Sequence, residues 1–248
     1  MTARARIDLN ADVGEGFDDE PLLPFLTSVN VACGAHAGDP ETMRRTAERA
    51  AVLGCAVGAH PGFPDREGFG RAITTRDPAK IGSLVFEQTI RLRAITEDVG
   101  VLLTHVKPHG ALYNLAAVDE AVAVAIAESV RRIDPALRLV GLARSYSVAA
   151  AERVGLRAVE EAFVDRAYRL DGTLVPRTEP GAVVRDPALA RERALALARG
   201  APVSAEGGGV VRVIAGTLCL HGDTAGAVDI AREVHAGLRR AGIELARP

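Results

Sequence analysis

Short apolar runs alternate with segments of helical periodicity along most of this 248-residue chain. The runs are rich in Val, Ile, Leu and Ala, and each lies beside a pattern whose apolar positions recur with the period of an α-helix. Predicted strands fall at about seven runs: residues 7–13, 28–33, 55–59, 101–106, 137–142, 156–159 and 211–220. Apolar runs between helices are typical of a parallel sheet that is buried on both faces.

Asp-Pro pairs predict where helices begin. An Asp side chain accepts from free N–H groups of the first helical turn, and Pro at the first position loses no needed donor. The pairs are Asp39-Pro40, Asp77-Pro78 and Asp186-Pro187, and the glycines that close their patterns are Gly54, Gly100 and Gly200. The clearest pattern covers residues 78–99, with Ile81, Leu84, Val85, Gln88, Leu92 and Ile95 on one stripe. Further helices are predicted at 118–133, 147–154 and 224–241.

These elements predict one α/β domain over residues 1–248, with no linker-like segment and no internal repeat. Their order fits a closed barrel and an open doubly wound sheet equally well. No GxGxxG follows a predicted strand and no Walker A sequence is present, so neither nucleotide-binding sheet family is favoured. The irregular segment 163–186 is a long polar connection, which we interpret as a functional loop or lid.

The composition is that of a soluble globular protein, with 48% hydrophobic and 25% charged residues. The net charge of -2 has both signs interspersed, which argues against a nucleic-acid or membrane-binding surface. Residues 1–10 lack the apolar core of a signal sequence, and no segment approaches the roughly 18 apolar residues of a membrane span. The cysteines Cys33, Cys55 and Cys219 form no CxxC pair, so we expect a cytoplasmic protein.

Polar residues gather where the predicted strands end, the usual ligand-binding edge of α/β folds. Asp8, Asn10 and Asp12 alternate on the first strand and therefore point to the same side. Two carboxylates on a buried face favour a functional use, although they could instead tie down backbone or Arg groups. His36 and His60 each lie just past a strand end among small residues. With Asp12 they form a minimal divalent-metal set, although no compact motif such as HExxH supports it.

The fourth strand leads into the densest polar motif, with His105, Lys107, His109, Tyr113 and Asn114. His105 and Lys107 share one face, and an inward Lys needs an anionic partner, which could be a substrate carboxylate, a phosphate or Asp12. His109 is a candidate general acid-base because its unperturbed pKa lies near neutrality. The structural alternative is that Lys107 only pairs with Asp8 or Asp12.

Two further polar groups lie near the C-terminal half. Asp165 and Arg166 open the long connection and could equally be a surface pair. His221 and Asp223 stand at a strand-to-helix junction, where Asp223 could merely cap the helix. His235 lies inside a helix pattern and is assigned no role, and Cys33 and Cys219 are interpreted as small core residues.

Taken in order, these motifs resemble the LamB/YcsF family of lactam utilisation proteins, understood as A subunits of 5-oxoprolinase. The residues that carry the resemblance are 8–16, 30–39, 58–61, 105–114, 163–168 and 221–223. The resemblance implies a single distorted seven-stranded (β/α) barrel like those of metal-dependent polysaccharide deacetylases. It also implies a complex with subunits B and C that cleaves 5-oxo-L-proline to L-glutamate with ATP hydrolysis.

That chemistry suggests roles for the motif residues. Ring opening needs an anchor for the substrate carboxylate, a base to position water and donors for the developing oxyanion. The catalytic candidates are Asp12, Lys107 and His109, and the substrate-binding candidates are Asn10, Glu15, His105, Tyr113, Asn114, Asp165, Arg166, His221 and Asp223. Because no Walker A sequence is present, the ATP site is expected to lie on, or to be shared with, a partner subunit.

Two other functions remain open at this stage. One is a stand-alone metal-dependent deacetylase or amidohydrolase with Asp12, His36 and His60 as ligands. The other is a non-catalytic subunit whose pocket only binds 5-oxoproline.

Overall fold

Strands of the computed structural model, which describes residues 6–248, form a closed barrel. The first five residues, part of the segment that argued against a signal sequence, lie outside the described residues. In chain order the strands are β1 (Arg6–Val13), β2 (Ser28–Ala32), β3 (Ala56–His60), β4 (Leu103–Val106), β5 (Arg138–Leu142), β6 (Arg157–Phe163), β7 (Val203–Ser204), β8 (Val210–Val211), β9 (Thr217–His221) and β10 (Glu244–Leu245).

The barrel runs in the order β1-β2-β3-β4-β5-β6-β9, and a parallel pairing of β9 with β1 closes it. All pairings between these strands are parallel. A register shift between Val57 and Gly58 distorts the β3–β4 pair. The expected seven-stranded distorted (β/α) barrel is thus confirmed, and the open-sheet alternative is wrong.

Helices surround the barrel and begin largely where the Asp-Pro pairs predicted. They are α1 (Pro40–Val52), α2 (Pro78–Glu97), α3 (Gly110–Val118), α4 (Glu120–Ile133), α5 (Tyr146–Arg153), α6 (Pro187–Ala198) and α7 (Ala227–Arg240). Asp39, Asp77 and Asp186 each accept a hydrogen bond from a first-turn backbone N–H. These caps fix where three of the helices start relative to the loops that precede them.

Three elements differ from the sequence prediction. Helix α3 was missed because nearly all its sides are buried, so that it shows no apolar stripe. The run at 211–220 is not one strand, since β8 pairs with β7 in a small antiparallel sheet and only β9 enters the barrel. The segment 163–186 is not polar throughout, because Ala167, Val175 and Ala182 form a small buried cluster within it.

Among the described residues no single helix is long and apolar enough to cross a membrane. The pair α3 and α4 would pass by length and composition together, but it is bent by 115°.

Candidate functional site

The inward face of β1 carries a continuous polar network through the barrel. Asp8 accepts hydrogen bonds from three hydroxyl groups, those of Thr27, Ser28 and Thr217. Two residues further along the strand, the Asn10 amide donates to Glu161 Oε1 (3.0 Å) and to Thr217 Oγ1 (2.7 Å). The predicted alternation of Asp8, Asn10 and Asp12 into one space is therefore confirmed.

Lys107 extends this network and lies between the carboxylates of Asp12 and Glu161. Its ammonium is 2.9 Å from Asp12 Oδ1 and 3.0 Å from Glu161 Oε1. Cys219 Sγ lies 3.1 Å from the same nitrogen. The side chains of Lys107, Asp12 and Glu161 are 2%, 9% and 0% exposed, so this charge cluster is almost completely withdrawn from water.

The charges in this cluster stabilise one another. Burial would raise the pKa of Asp12, but the neighbouring His60 and Lys107 hold that pKa well below its usual value. Burial would likewise lower the pKa of Lys107, whereas the carboxylates of Asp12 and Glu161 raise it well above its usual value. Asp12 is therefore a carboxylate and Lys107 an ammonium at neutral pH. Burial raises the pKa of Cys219 well above its usual value despite the opposing charge of Lys107, so its thiol is neutral.

Asn30 and His105 hold the polar side chains of β1 in place. The Asn30 amide donates to Asp12 Oδ1 (2.8 Å) and to Asn10 Oδ1 (2.9 Å), and its own oxygen accepts from His105 Nε2 (2.8 Å). Burial, then the positive charge of Lys107, lowers the pKa of His105 to about 3. His105 is thus a neutral scaffold for Asn30.

A second group, the histidine cluster, consists of Glu15, His36, His60 and His109. Glu15 Oε1 lies 3.0 Å from His36 Nε2, 3.1 Å from His109 Nδ1 and 3.7 Å from His60 Nε2. The His36 and His109 rings stack with centroids 3.7 Å apart. Burial lowers the pKa of His36 to about 4, although its hydrogen bond to Glu15 opposes the shift.

Glycines make the histidine cluster sterically feasible. A Cβ on Gly62 would lie 2.7 Å from His36 Nδ1, and one on Gly70 would lie 2.8 Å from atoms of both His36 and His109. Next to Gly70, Phe69 has a φ of 56°, a left-handed conformation that is strained for an aromatic residue. The strained turn presents the Phe69 carbonyl to His109 Nε2 at 2.8 Å.

A third group, His221 with Asp165, lies at the end of β9 beside Asp12. His221 Nδ1 lies 3.0 Å from Asp165 Oδ1, and its backbone N–H donates to the same carboxylate. Asp165 and Arg166 are both buried, so the surface-pair alternative is wrong. Arg166 donates to the Val175 carbonyl (2.6 Å).

Asp223 does not cap helix α7, which begins after Gly226 without a side-chain cap. Its carboxylate instead lies 2.7 Å from Arg71 and 2.9 Å from Arg177. These three side chains form a partly exposed ion group, and of the three only Asp223 is close to His221 in the sequence.

The structure separates some residues that the sequence grouped together. Asp12, His36 and His60 do not form one set of ligands: His36 and His60 belong with Glu15 and His109, whereas Asp12 groups with Cys219 and His221. Asp12 Oδ2 is nevertheless only 3.3 Å from His60 Nε2, so the two groups adjoin.

Tyr113 and Asn114, the helical residues of the motif that follows β4, point in different directions. The Tyr113 ring is buried, with its centroid 5.9 Å from the Lys107 ammonium. Asn114, one position on along α3, is exposed and turned away from that buried face. The predicted pairing of Lys107 with Asp12 is present.

Sequence reasoning missed Glu161 as a partner of Lys107 and Cys219 as its neighbour. The predicted sixth strand ended at residue 159 because two glutamates follow, yet β6 continues to Phe163. The alternation of Glu161 and Phe163 was the only signal that Glu161 points inward.

The molecule is thus a parallel (β/α) barrel with a buried ionic cluster and a histidine cluster at the carboxyl ends of its strands, the catalytic edge of such barrels. Residues 7–248 match the model of the LamB/YcsF family, and the chain belongs to that family. The resemblance inferred from the motifs is confirmed.

Individual relatives cover almost the whole chain. It is 50% identical over 244 residues to a protein from Heliobacterium modesticaldum that is named as the A subunit of 5-oxoprolinase, across 96% of both chains. The crystal structure of a lactam utilization protein from Thermus thermophilus has a TM-score of 0.91 and 42% identity, covering 98% of this chain and 100% of that one. A variant of the peptidoglycan deacetylase PdaC from Bacillus subtilis shares only the fold, with a TM-score of 0.51 and 14% identity over 99% of this chain and 88% of that one.

Proposed function

We propose that this chain is the A subunit of an ATP-dependent 5-oxoprolinase that cleaves 5-oxo-L-proline to L-glutamate. The observation that carries the proposal is the similarity along almost the full length to proteins that bear the name of this A subunit, at 50% identity for the Heliobacterium protein. The same range of residues contains every motif that lies around the barrel opening.

The buried ionic cluster suits hydrolysis of a lactam. In the overall reaction one water opens the lactam: the C–N bond breaks, a hydroxyl group adds to the carbonyl carbon and a proton goes to the nitrogen. A second water is consumed as ATP is hydrolysed to ADP and phosphate. Lys107 would donate to the oxygen on which negative charge develops, because its ammonium is held in a water-poor site by Asp12 and Glu161. Asp12, ionised at neutral pH, would orient the attacking water.

Activation by ATP requires more than this chain offers. A five-membered lactam is a poor electrophile, and phosphorylation of its carbonyl oxygen by ATP would make it reactive. The sequence contains no Walker A loop. We therefore place the ATP site on, or shared with, the partner subunits B and C.

The test is reconstitution. ATP-dependent glutamate release from 5-oxoproline is measured for the chain alone, for B and C alone, and for all three together. Turnover is expected only with all three, and omission of ATP should abolish it. Robust 5-oxoproline-dependent ATP hydrolysis by the chain alone would refute the division of labour, and no glutamate from the complete mixture would refute the function.

A further inference from the structure

Backbone carbonyls fix the tautomers of two histidines in the histidine cluster. His60 Nδ1 lies 2.7 Å from the Lys107 carbonyl, and His109 Nε2 lies 2.8 Å from the Phe69 carbonyl. A carbonyl oxygen can only accept, so both of these ring nitrogens carry hydrogen. The opposite nitrogens, His60 Nε2 and His109 Nδ1, are therefore the lone-pair atoms of the neutral rings.

Those two lone pairs face each other across 3.0 Å. Glu15 Oε1 and Asp12 Oδ2, which are also acceptors, lie 3.7 Å and 3.3 Å from the same His60 nitrogen. Four acceptors directed at one small volume repel one another unless a cation lies between them. A proton added to His60 Nε2 provides a single N–H donor, which cannot pair with all of the other acceptors.

The distances suit a metal ion better than a proton. One ligand atom each from Glu15, His36, His60 and His109 lies within 4.8 Å of the others. Zinc–nitrogen and zinc–oxygen bonds of about 2.0 to 2.2 Å place tetrahedral ligands roughly 3.4 Å apart. The separations between ligand atoms in the cluster, 3.0, 3.0, 3.1 and 3.7 Å, lie around that value.

The surroundings of the cluster also resemble those of metal ligands. Histidines that bind metals almost always donate their outer N–H to a carbonyl or carboxylate, as His60 and His109 do here. The strained turn at Phe69 supplies one of these carbonyls. A cavity of about 480 Å³, lined in part by Glu15, His36 and Phe69, gives an ion and a small ligand access to the cluster.

We propose that Glu15, His36, His60 and His109 bind one divalent first-row transition-metal ion. Imidazole nitrogens with one carboxylate favour Zn²⁺ or a neighbour of similar preference over Mg²⁺ or Ca²⁺. Asp12 stays with Lys107 at 2.9 Å and is not one of the four proposed ligands. His109 is then a metal ligand, in place of the acid-base role that the sequence suggested. The site does not depend on the reaction proposed above.

The experiment measures binding of Zn²⁺ alone to the full chain after treatment with a chelator and dialysis. Isothermal titration is run at neutral pH on the parent and on Glu15→Gln and His109→Gln. His235→Gln is the matched control, because His235 on α7 contacts the Phe25 carbonyl, outside the cluster. Cys219→Ser probes the neighbouring group of Asp12, Cys219 and His221.

One equivalent of Zn²⁺ is expected for the parent, His235→Gln and Cys219→Ser. Loss of a partner behind a ligand typically costs about 10–100-fold in metal affinity, so loss of a ligand in Glu15→Gln or His109→Gln should weaken binding by at least about a hundredfold. Binding should also release protons, because the metal competes with them for the ring nitrogens.

If either ligand variant fails to fold, the visible spectrum of the Co²⁺-loaded parent decides, since nitrogen and oxygen ligands give no thiolate charge-transfer band. Absence of saturable binding would overturn the proposal. So would loss of binding in Cys219→Ser but not in Glu15→Gln, or a thiolate band in the Co²⁺ spectrum.

Discussion

Replacing Lys107 by Met removes the one cation that two buried carboxylates share. Asp12 keeps the Asn30 amide at 2.8 Å and His60 Nε2 at 3.3 Å, whereas Glu161 keeps the neutral Asn10 amide at 3.0 Å and loses the ammonium. Breaking a buried ion pair by removing one partner costs about 3 to 5 kcal/mol, because the remaining charge is left without compensation. We expect a loss of this size in the free energy of unfolding.

The corresponding change in melting temperature is large enough to measure. At roughly 2 to 4 °C per kcal/mol for a protein of this size, Lys107→Met should melt about 6 to 20 °C below the parent. Asp12→Asn should lose less, since Lys107 keeps Glu161 at 3.0 Å. The double variant should be less destabilised than the sum of the two, because the residues are in direct contact.

The effect of Lys107→Met should also depend on pH. The pKa of Asp12 is held well below its usual value in the folded protein, so its ionised form adds stability above the unfolded value of about 3.9. That contribution is lost as the pH falls through the lower pKa that Asp12 has in the folded protein. The difference between the parent and Lys107→Met is therefore widest near neutral pH and narrows below about pH 4.

Thermal melts and glutamate release by the reconstituted complex are measured for the same proteins. Lys80→Met is the matched control, since Lys80 is exposed on α2 and is the only other lysine. Lys107→Met and Asp12→Asn should lose turnover at temperatures where both remain folded. A Lys107→Met midpoint within about 2 °C of the parent would refute the energetic reasoning. A double variant with near-parental stability and activity would show that the pair is only structural.

Three further variants test the scaffold by thermal unfolding. Burial lowers the pKa of His105 to about 3, so the parent should lose stability as the pH falls from about 6.5 to 3. His105→Gln should make the free energy of unfolding depend less on pH in this range, and an unchanged pH dependence would contradict a buried neutral imidazole. Gly58→Ala, whose Cβ would meet the His105 ring at 2.2 Å, should cost about 1 to 3 kcal/mol, whereas Gly216→Ala, with its nearest atom at 3.6 Å, should cost less. Asp223→Ala should change stability by less than about 1 kcal/mol, because its arginine partners are partly exposed; a larger loss would show that this ion group supports the fold.

Local chemistry in the sequence was sufficient for much of the scaffold. Asp39, Asp77 and Asp186 cap the helices that begin beside them because an Asp-Pro pair satisfies first-turn donors whatever lies elsewhere in the chain. The two-residue period of a strand similarly placed Asp8 and Asp12 on one inward face.

Other features required contacts between distant residues. Closure of the barrel rests on the pairing of β1 with β9, more than 200 residues apart, and the alternation of strands and helices is the same in an open sheet. Helix α3 has no apolar stripe because the barrel and its neighbours cover it on nearly every side.

In the candidate site, too, the sequence predicted single residues, whereas tertiary contacts decided how they are grouped. The sequence identified Asp12, Lys107 and the three histidines one by one, as polar residues at strand ends. It did not show that Glu161 shares Lys107 with Asp12, or that Glu15 and His109 complete a group with His36 and His60. Strand register around the closed barrel and the strained turn at Phe69 decide which of these side chains meet, and both are set by tertiary packing.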